Sequence, residues 1–177
     1  MMLRFAAYFA AAAAAALCSR RSRGWLVSLL LVQRANGYHL ASPMTAHALR
    51  LSPGEDLVVS LLDHCEKYQL TSSAVLTVVG SLTNVRLRLA GAQDFLTLEE
   101  PLEIISLVGT VCSDREHHLH LSVSRRDGSV LGGHIKGAAT IATTGEVILG
   151  VMPELRFSRE MDAATNYKEL QIGRTDM

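Results

Sequence analysis

A chain of 177 residues with 17 Lys or Arg against 17 Asp or Glu has the length of one domain plus an appendage. The balance hides an asymmetry: no acid precedes Glu55, whereas from Met44 onward 12 bases face 17 acids. That acidic surplus makes the domain a poor non-specific nucleic-acid binder, which needs a basic footprint. Three cysteines, Cys18, Cys65 and Cys112, without CxxC spacing exclude a disulfide framework and a cysteine zinc site.

Residues 1–43 read as an extension and 44–177 as the domain. Phe5–Leu17 is alanine-rich, and an apolar patch, Trp25–Val32, follows Arg20, Arg21 and Arg23. Neither run reaches the roughly 20 residues that span a bilayer, so no transmembrane span is expected. An acid-free, arginine- and serine-containing N-terminus has the composition of an organelle transit peptide, and mitochondrial targeting is the reading adopted. The alternatives are a secretory signal peptide, translation beginning at Met44 with a cytosolic or nuclear product, and a disordered tail.

The domain opens with a strand near Ala46–Leu51. Ser52-Pro53-Gly54-Glu55 predicts a helix start, with Ser52 capping, Pro53 at the first helical position and Glu55 completing a capping box. Leu57, Val58, Leu61, Leu62 and Cys65 recur at helical spacing, predicting a helix over about 53–68 with one buried face. Cys65 is then a small core residue.

Ser73–Val79 reads as a strand buried on both faces and ending at Gly80, with a bend at 81–84. Val85, Leu87 and Leu89 then alternate with Arg86 and Arg88. Those arginines can meet an anionic ligand or simply face water, the commoner case. Strands are predicted at Phe95–Leu98 and Leu102–Cys112. Gly137–Thr143 and Glu146–Val151 predict a hairpin turning at Thr144-Gly145, and Leu155–Arg159 and Tyr167–Ile172 finish the sheet. The sum is an α+β domain, a mostly antiparallel central sheet packed with one main helix.

The chemistry concentrates in Glu116-His-His-Leu-His-Leu-Ser122 and Gly132-Gly-His134. On a strand, His118 and His120 share a face with Ser122 and Ser124, while Leu119, Leu121 and Val123 take the other. The position of His134 depends on the loop after Arg125. A two-residue Asp127-Gly128 turn sets His134 opposite Leu121, on the wrong face. A three-residue loop with Gly128 left-handed sets it opposite His120, and a bulge at Gly132-Gly133 is a third route. Three neutral imidazoles from two adjacent strands suit zinc with an open fourth position. The alternative is a half-buried strand whose imidazoles face water. Glu103 and Glu116 are the carboxylates available as a base beside a metal-bound water. No Gly-x-Ser-x-Gly elbow, phosphate-cradling loop or Rossmann fingerprint occurs.

Seven motifs occur in order: Leu51-Ser-Pro-Gly-Glu-Asp-Leu57, Val79-Gly-Ser-Leu-Thr-Asn-Val85, Leu102-Glu-Ile-Ile-Ser-Leu-Val-Gly109, His118-Leu-His-Leu-Ser122, Gly132-Gly-His134, Phe157-Ser-Arg-Glu160 and Thr165-Asn-Tyr-Lys-Glu-Leu170. Together they resemble the plants-and-prokaryotes-conserved (PPC) domain, found in plant AT-hook nuclear-localised proteins and in stand-alone bacterial and archaeal proteins. The resemblance covers about residues 45–173. It implies an α/β domain with a central antiparallel sheet, assembled as a homotrimer, and a metal site at His118, His120 and His134.

In the plant proteins the domain serves self-association and partner binding, while a separate Arg-Gly-Arg-Pro hook grips DNA. This sequence has no such hook; Arg21-Ser-Arg-Gly24 lacks the proline. Pro101-Leu102-Glu103 replaces the plant Gly-Arg-Phe-Glu, and Asn166 stands where glycine is usual. The expected function is therefore an oligomeric binding or regulatory module with a three-histidine metal site, zinc being the ion expected. Arg86, Arg88 and Glu103 are its candidate ligand or partner contacts. The rival classes are a zinc-dependent enzyme acting on a small molecule and a DNA-binding protein, the latter disfavoured by the acidic domain and the missing hook.

Overall fold

The computed structural model describes residues 39–91 and 93–175; the targeting reading falls on residues outside these. Leu40 to the C-terminus forms one compact unit. Its elements are β1 (Thr45–Leu51), α1 (Leu57–Lys67), β2 (Ser72–Arg88), β3 (Phe95–Leu98), β4 (Leu102–Cys112), β5 (His117–Ser124), β6 (Val130–Val151), β7 (Leu155–Met161) and β8 (Lys168–Arg174). The mostly antiparallel sheet with one helix expected from the sequence is observed. No helix among the described residues is long and apolar enough to cross a membrane.

The main sheet runs β1-β6-β5-β4-β2-β3, with β6 also paired to β2. Strands β6, β5, β4 and β2 therefore form a closed circuit of pairings, with β1 and β3 attached outside it. The circuit wraps a core that includes Leu82, Leu87, Leu107, Leu119, Leu121, Ile135 and Leu149, none more than 2% exposed. Burying such a side chain stabilises the fold by about 1.5–3 kcal/mol.

The long strands correct three expectations. β2 continues through Gly80 to Arg88 and bends by four register shifts along β6, with no break at 81–84. It is also not buried on both faces, since Leu76 and Val79 are about half exposed. β6 likewise runs straight through Thr144-Gly145, without a hairpin. Gly145 lies opposite both Leu51 of β1 and Gly80 of β2, and a Cβ on Gly80 (φ +140°) would sit 2.0 Å from the Thr144 carbonyl oxygen. The glycines there mark a close approach of strands, which the sequence pattern alone does not distinguish from a turn.

The helix starts later than its capping box predicts. Gly54 adopts φ +88°, so residues 52–55 form a turn, and Asp56 becomes the N-cap, with φ −87° and ψ 126°. Asp56 Oδ1 accepts from the backbone N–H groups of Val58 and Val59, each at 3.0 Å, while Oδ2 accepts from Ala139 N–H of β6 at 2.8 Å. One carboxylate thus caps the helix and ties it to the sheet. Leu57, Val58, Leu61 and Cys65 are buried as the periodicity requires. Strands β7 and β8 do not finish the main sheet. They form a separate two-stranded sheet around Leu155 and Phe157, packed with Cys112.

Candidate metal centre

Of the two hairpin loops that the sequence allows, the three-residue one forms. Arg125 N–H donates to Ser129 O at 2.9 Å and Gly128 N–H to Arg125 O at 3.0 Å. Gly128 takes φ +81°, the left-handed conformation that glycine adopts at least cost. Asp127 Oδ1 accepts from both the backbone and the hydroxyl of Ser129. The register that follows sets His120 opposite His134. Leu119, Leu121 and Val123 point into the core, so His118 and His120 are held on the outer face.

The three imidazoles converge. Ring centroids are 5.0 Å apart for His118–His120, 5.0 Å for His118–His134 and 5.4 Å for His120–His134. One ring nitrogen from each lies within 4.8 Å of the others. His118 Nε2 and His120 Nε2 are 3.1 Å apart, close to the ~3.3 Å between ligand atoms of a tetrahedral zinc with ~2.0–2.1 Å bonds. Both ring nitrogens of His134 are buried without a hydrogen-bond partner. A neutral imidazole placed so leaves both a donor and an acceptor unsatisfied, a cost a protein does not ordinarily carry without use. A divalent ion among the three rings would engage one of those nitrogens, so the residues present fit a metal.

Burial, then the nearby Lys136 and Arg88 and the other two rings, lowers the pKa of His134 to about 4. Burial likewise lowers that of His118, with Arg159 and His120 adding to it. Neutral imidazole is the form that ligates metal.

The neighbouring strands complete the setting. Gly109 of β4 (φ +137°) lies opposite Leu119, and a Cβ there would stand 1.9 Å from the His118 carbonyl oxygen. A bare α-carbon is therefore needed for β4 to hold β5 in place. Arg88 of β2 lies opposite His134 and lines, with His118, His134, Lys136, Glu116 and Arg159, a cleft of about 420 Å³. A second cleft of about 520 Å³, on the side of His120 and Gly132-Gly133, shares Arg88, His134 and Tyr167.

The other candidates separate. Arg86 packs over the Phe95 ring at 4.2 Å and is not among the cleft residues. Glu103 lies five residues along β4 from Val108, the residue opposite His120; at ~3.4 Å per residue that is ~17 Å away. Glu116 does reach the cleft, but it pairs with Lys168, whose hydrogen bond is the main reason its pKa is lowered.

Lys136 and Arg159 were not singled out by the sequence. The signal for Lys136 was its place two residues after His134, on the same strand face. Arg159 comes from β7, bonded to Thr110 Oγ1 and Lys168 O, each at 3.2 Å, and its approach had no local signal.

A wrapped antiparallel sheet carrying three imidazoles on one outer face defines the class: a small α+β domain with a histidine-cluster site. The sequence profile of the Plants and Prokaryotes Conserved (PCC) domain matches residues 38–153, and the chain belongs to this family. It is 44% identical over 126 residues to the bifunctional protein GlmU of a Synechococcus strain, covering 71% of this chain and 20% of that protein. It is 33% identical over 127 residues to AT-hook motif nuclear-localized protein 14 of Arabidopsis thaliana, covering 68% of this chain and 29% of the plant protein. The chain thus spans under a third of either relative's length.

Among solved structures, a protein from Salmonella cholerae-suis is 39% identical with a TM-score of 0.74, covering 77% of this chain and 99% of that one. A metal-containing protein from Archaeoglobus fulgidus shares the fold at 24% identity and a TM-score of 0.61, covering 77% and 99%. Asn166 has φ +59°. The position demands a left-handed residue, and asparagine is the side chain that best tolerates it.

Proposed function

We propose that this chain is a metal-binding, self-associating module in which His118, His120 and His134 hold a divalent ion, zinc being the one that three imidazoles with an open position suit. The observation that carries the reading is His134, whose buried, unpartnered ring nitrogens lie among the other two imidazoles. That a protein of the same fold is described as metal-containing is consistent with a fold able to hold an ion. The functional unit is residues 44–177, and 1–43 is an extension that directs the chain within the cell, to mitochondria in our reading.

Binding or regulation is preferred to catalysis. Neither carboxylate that the sequence offers as a base stands free beside the ion, since Glu116 is committed to Lys168 and Glu103 is distant; a hydrolytic reading would have to use Glu169 on the cleft wall to take a proton from metal-bound water. A zinc-dependent reaction on a small molecule is the second reading, favoured by the 420 Å³ cleft beside the histidines. The assembly proposed is a homotrimer. Exposed Leu76 and Val79 on β2, with Ile105 and Val108 on the adjacent β4, give it apolar surface to cover. DNA binding through a hook is not proposed, because the sequence contains no Arg-Gly-Arg-Pro.

Metal analysis of the purified full chain, beside a His118→Ala, His120→Ala double variant, tests the site. About one zinc per chain, lost in the variant, is expected; no metal in either after zinc is supplied would refute the reading. Sedimentation at the trimer mass is expected, and a monomer would remove the assembly.

A further inference from the structure

From Met44 onward acids outnumber bases, yet the cleft beside the histidines has the opposite sign. Its walls carry Arg88, Lys136, Arg159 and Lys168 against Glu116 and Glu169. Lys168 is neutralised by Glu116, whereas Arg88, Lys136 and Arg159 form no ion pair among the described residues. Arg159 also has a buried Nε without a hydrogen-bond partner.

The strand geometry aims two of these cations at the proposed ion. Arg88 lies directly opposite His134 across the β2–β6 pairing, where facing Cβ atoms are ~4.5–5.5 Å apart. Lys136 is two residues beyond His134 on the same face of β6, since Ile135 between them is buried. That places it ~7 Å along the strand. Cations gathered beside three neutral ligands add nothing to metal binding; their field repels a divalent ion. They need another reason to be there, and a negatively charged ligand supplies one.

We infer that the cleft takes a small oxyanion, a carboxylate or a phosphate group, with one oxygen on the metal's open position and what remains (one oxygen of a carboxylate, two or more of a phosphate) held by Arg88 and Lys136. Arg88 offers the planar fork that pairs two oxygens at once, and Lys136 a compact charge. The inference rests on the metal reading, because the ion is the anion's first anchor. It specifies what the module binds: a small anionic molecule, admitted when metal is bound.

Cobalt(II) in place of zinc separates the two ideas, since its visible spectrum reports both occupancy of the histidine site and any ligand entering the open position. The full chain is loaded with cobalt in perchlorate medium and titrated with inorganic phosphate and, separately, with acetate. A saturable spectral change with at least one anion is expected, and the stronger responder tells a phosphate-bearing from a carboxylate-bearing ligand. Arg88→Gln and Lys136→Gln should each weaken the anion about tenfold or more while still taking up cobalt. Arg86→Gln, outside the cleft, should titrate like the parent.

Cobalt uptake by the variants shows that the site has folded, and the exposed Lys136 position keeps the test valid if Arg88→Gln does not fold. A cobalt-loaded protein blind to both anions, or Arg88→Gln and Lys136→Gln responding like the parent, overturns this inference alone. Failure of the parent to bind cobalt overturns the metal reading and this one together.

Discussion

His134→Leu should reverse the order of stability between metal-free and metal-loaded protein. In the absence of metal, His134 keeps both ring nitrogens buried and unpartnered. An unsatisfied buried polar group costs about 1–3 kcal/mol. Leucine removes that cost and adds apolar contact; because the residue is only half-buried, the lower part of the range applies. The metal-free variant should thus gain about 1–2 kcal/mol. With zinc at a hundredfold excess over its Kd, the parent gains about 2.7 kcal/mol by mass action and the variant nothing. Urea unfolding in EDTA should therefore rank the variant above the parent, and unfolding in zinc should rank it below.

Acid adds a second readout on the stripped proteins. The His134 pKa is about 4 when folded against an ordinary 6.5. Between those values the unfolded chain binds a proton that the folded one refuses. Parent stability should fall as pH drops from 6.5 to 4, and the leucine variant should lose less over that window. A variant less stable than the parent in EDTA, or an equal zinc shift in both, would refute the account of His134 as a ligand waiting for its ion.

Asp56→Ala should cost about 2–4 kcal/mol. The lost N-cap accounts for about 1 kcal/mol, and the now unpaired Ala139 N–H, in a fully buried residue, for about 1–3. Asp56→Asn, which can still cap but cannot accept at both ends, should fall between, as read from urea midpoints. Gly109→Ala forces β4 away from the His118 carbonyl; it should destabilise the domain by more than 2 kcal/mol, a core clash and a strained φ combined. It should also lower zinc affinity by displacing His118, which competition with a chromogenic chelator would measure. Asn166→Ala should cost about 1–2 kcal/mol, the penalty of a left-handed conformation on an ordinary side chain, whereas Asn166→Gly should be close to neutral.

What the sequence alone determined was local and periodic. Alternation fixed which side of β5 carries His118 and His120, and the 3.6-residue repeat fixed the buried stripe of Leu57, Leu61 and Cys65. The chemistry of Arg126-Asp127-Gly128 narrowed the register to two readings, one of them bringing His134 to His120. Each of these depends on neighbours a few residues away.

The tertiary structure decided whatever depended on which strands meet. Gly145 looked like a turn because a glycine between two apolar runs usually is one; only the approach of Gly80 and Leu51 shows why the strand runs through. Asp56 outcompeted Ser52 as the cap because its second oxygen is needed by Ala139, 83 residues later. Of two alternating arginines with the same local pattern, Arg88 met His134 while Arg86 met Phe95, a difference set by the bulged pairing of β2 with β6 and by β3. Lys136 and Arg159 reached the histidines from β6 and β7, so the sign of the cleft was invisible in a net-acidic sequence. Composition counts charges along the chain, and only the fold decides which of them share a wall.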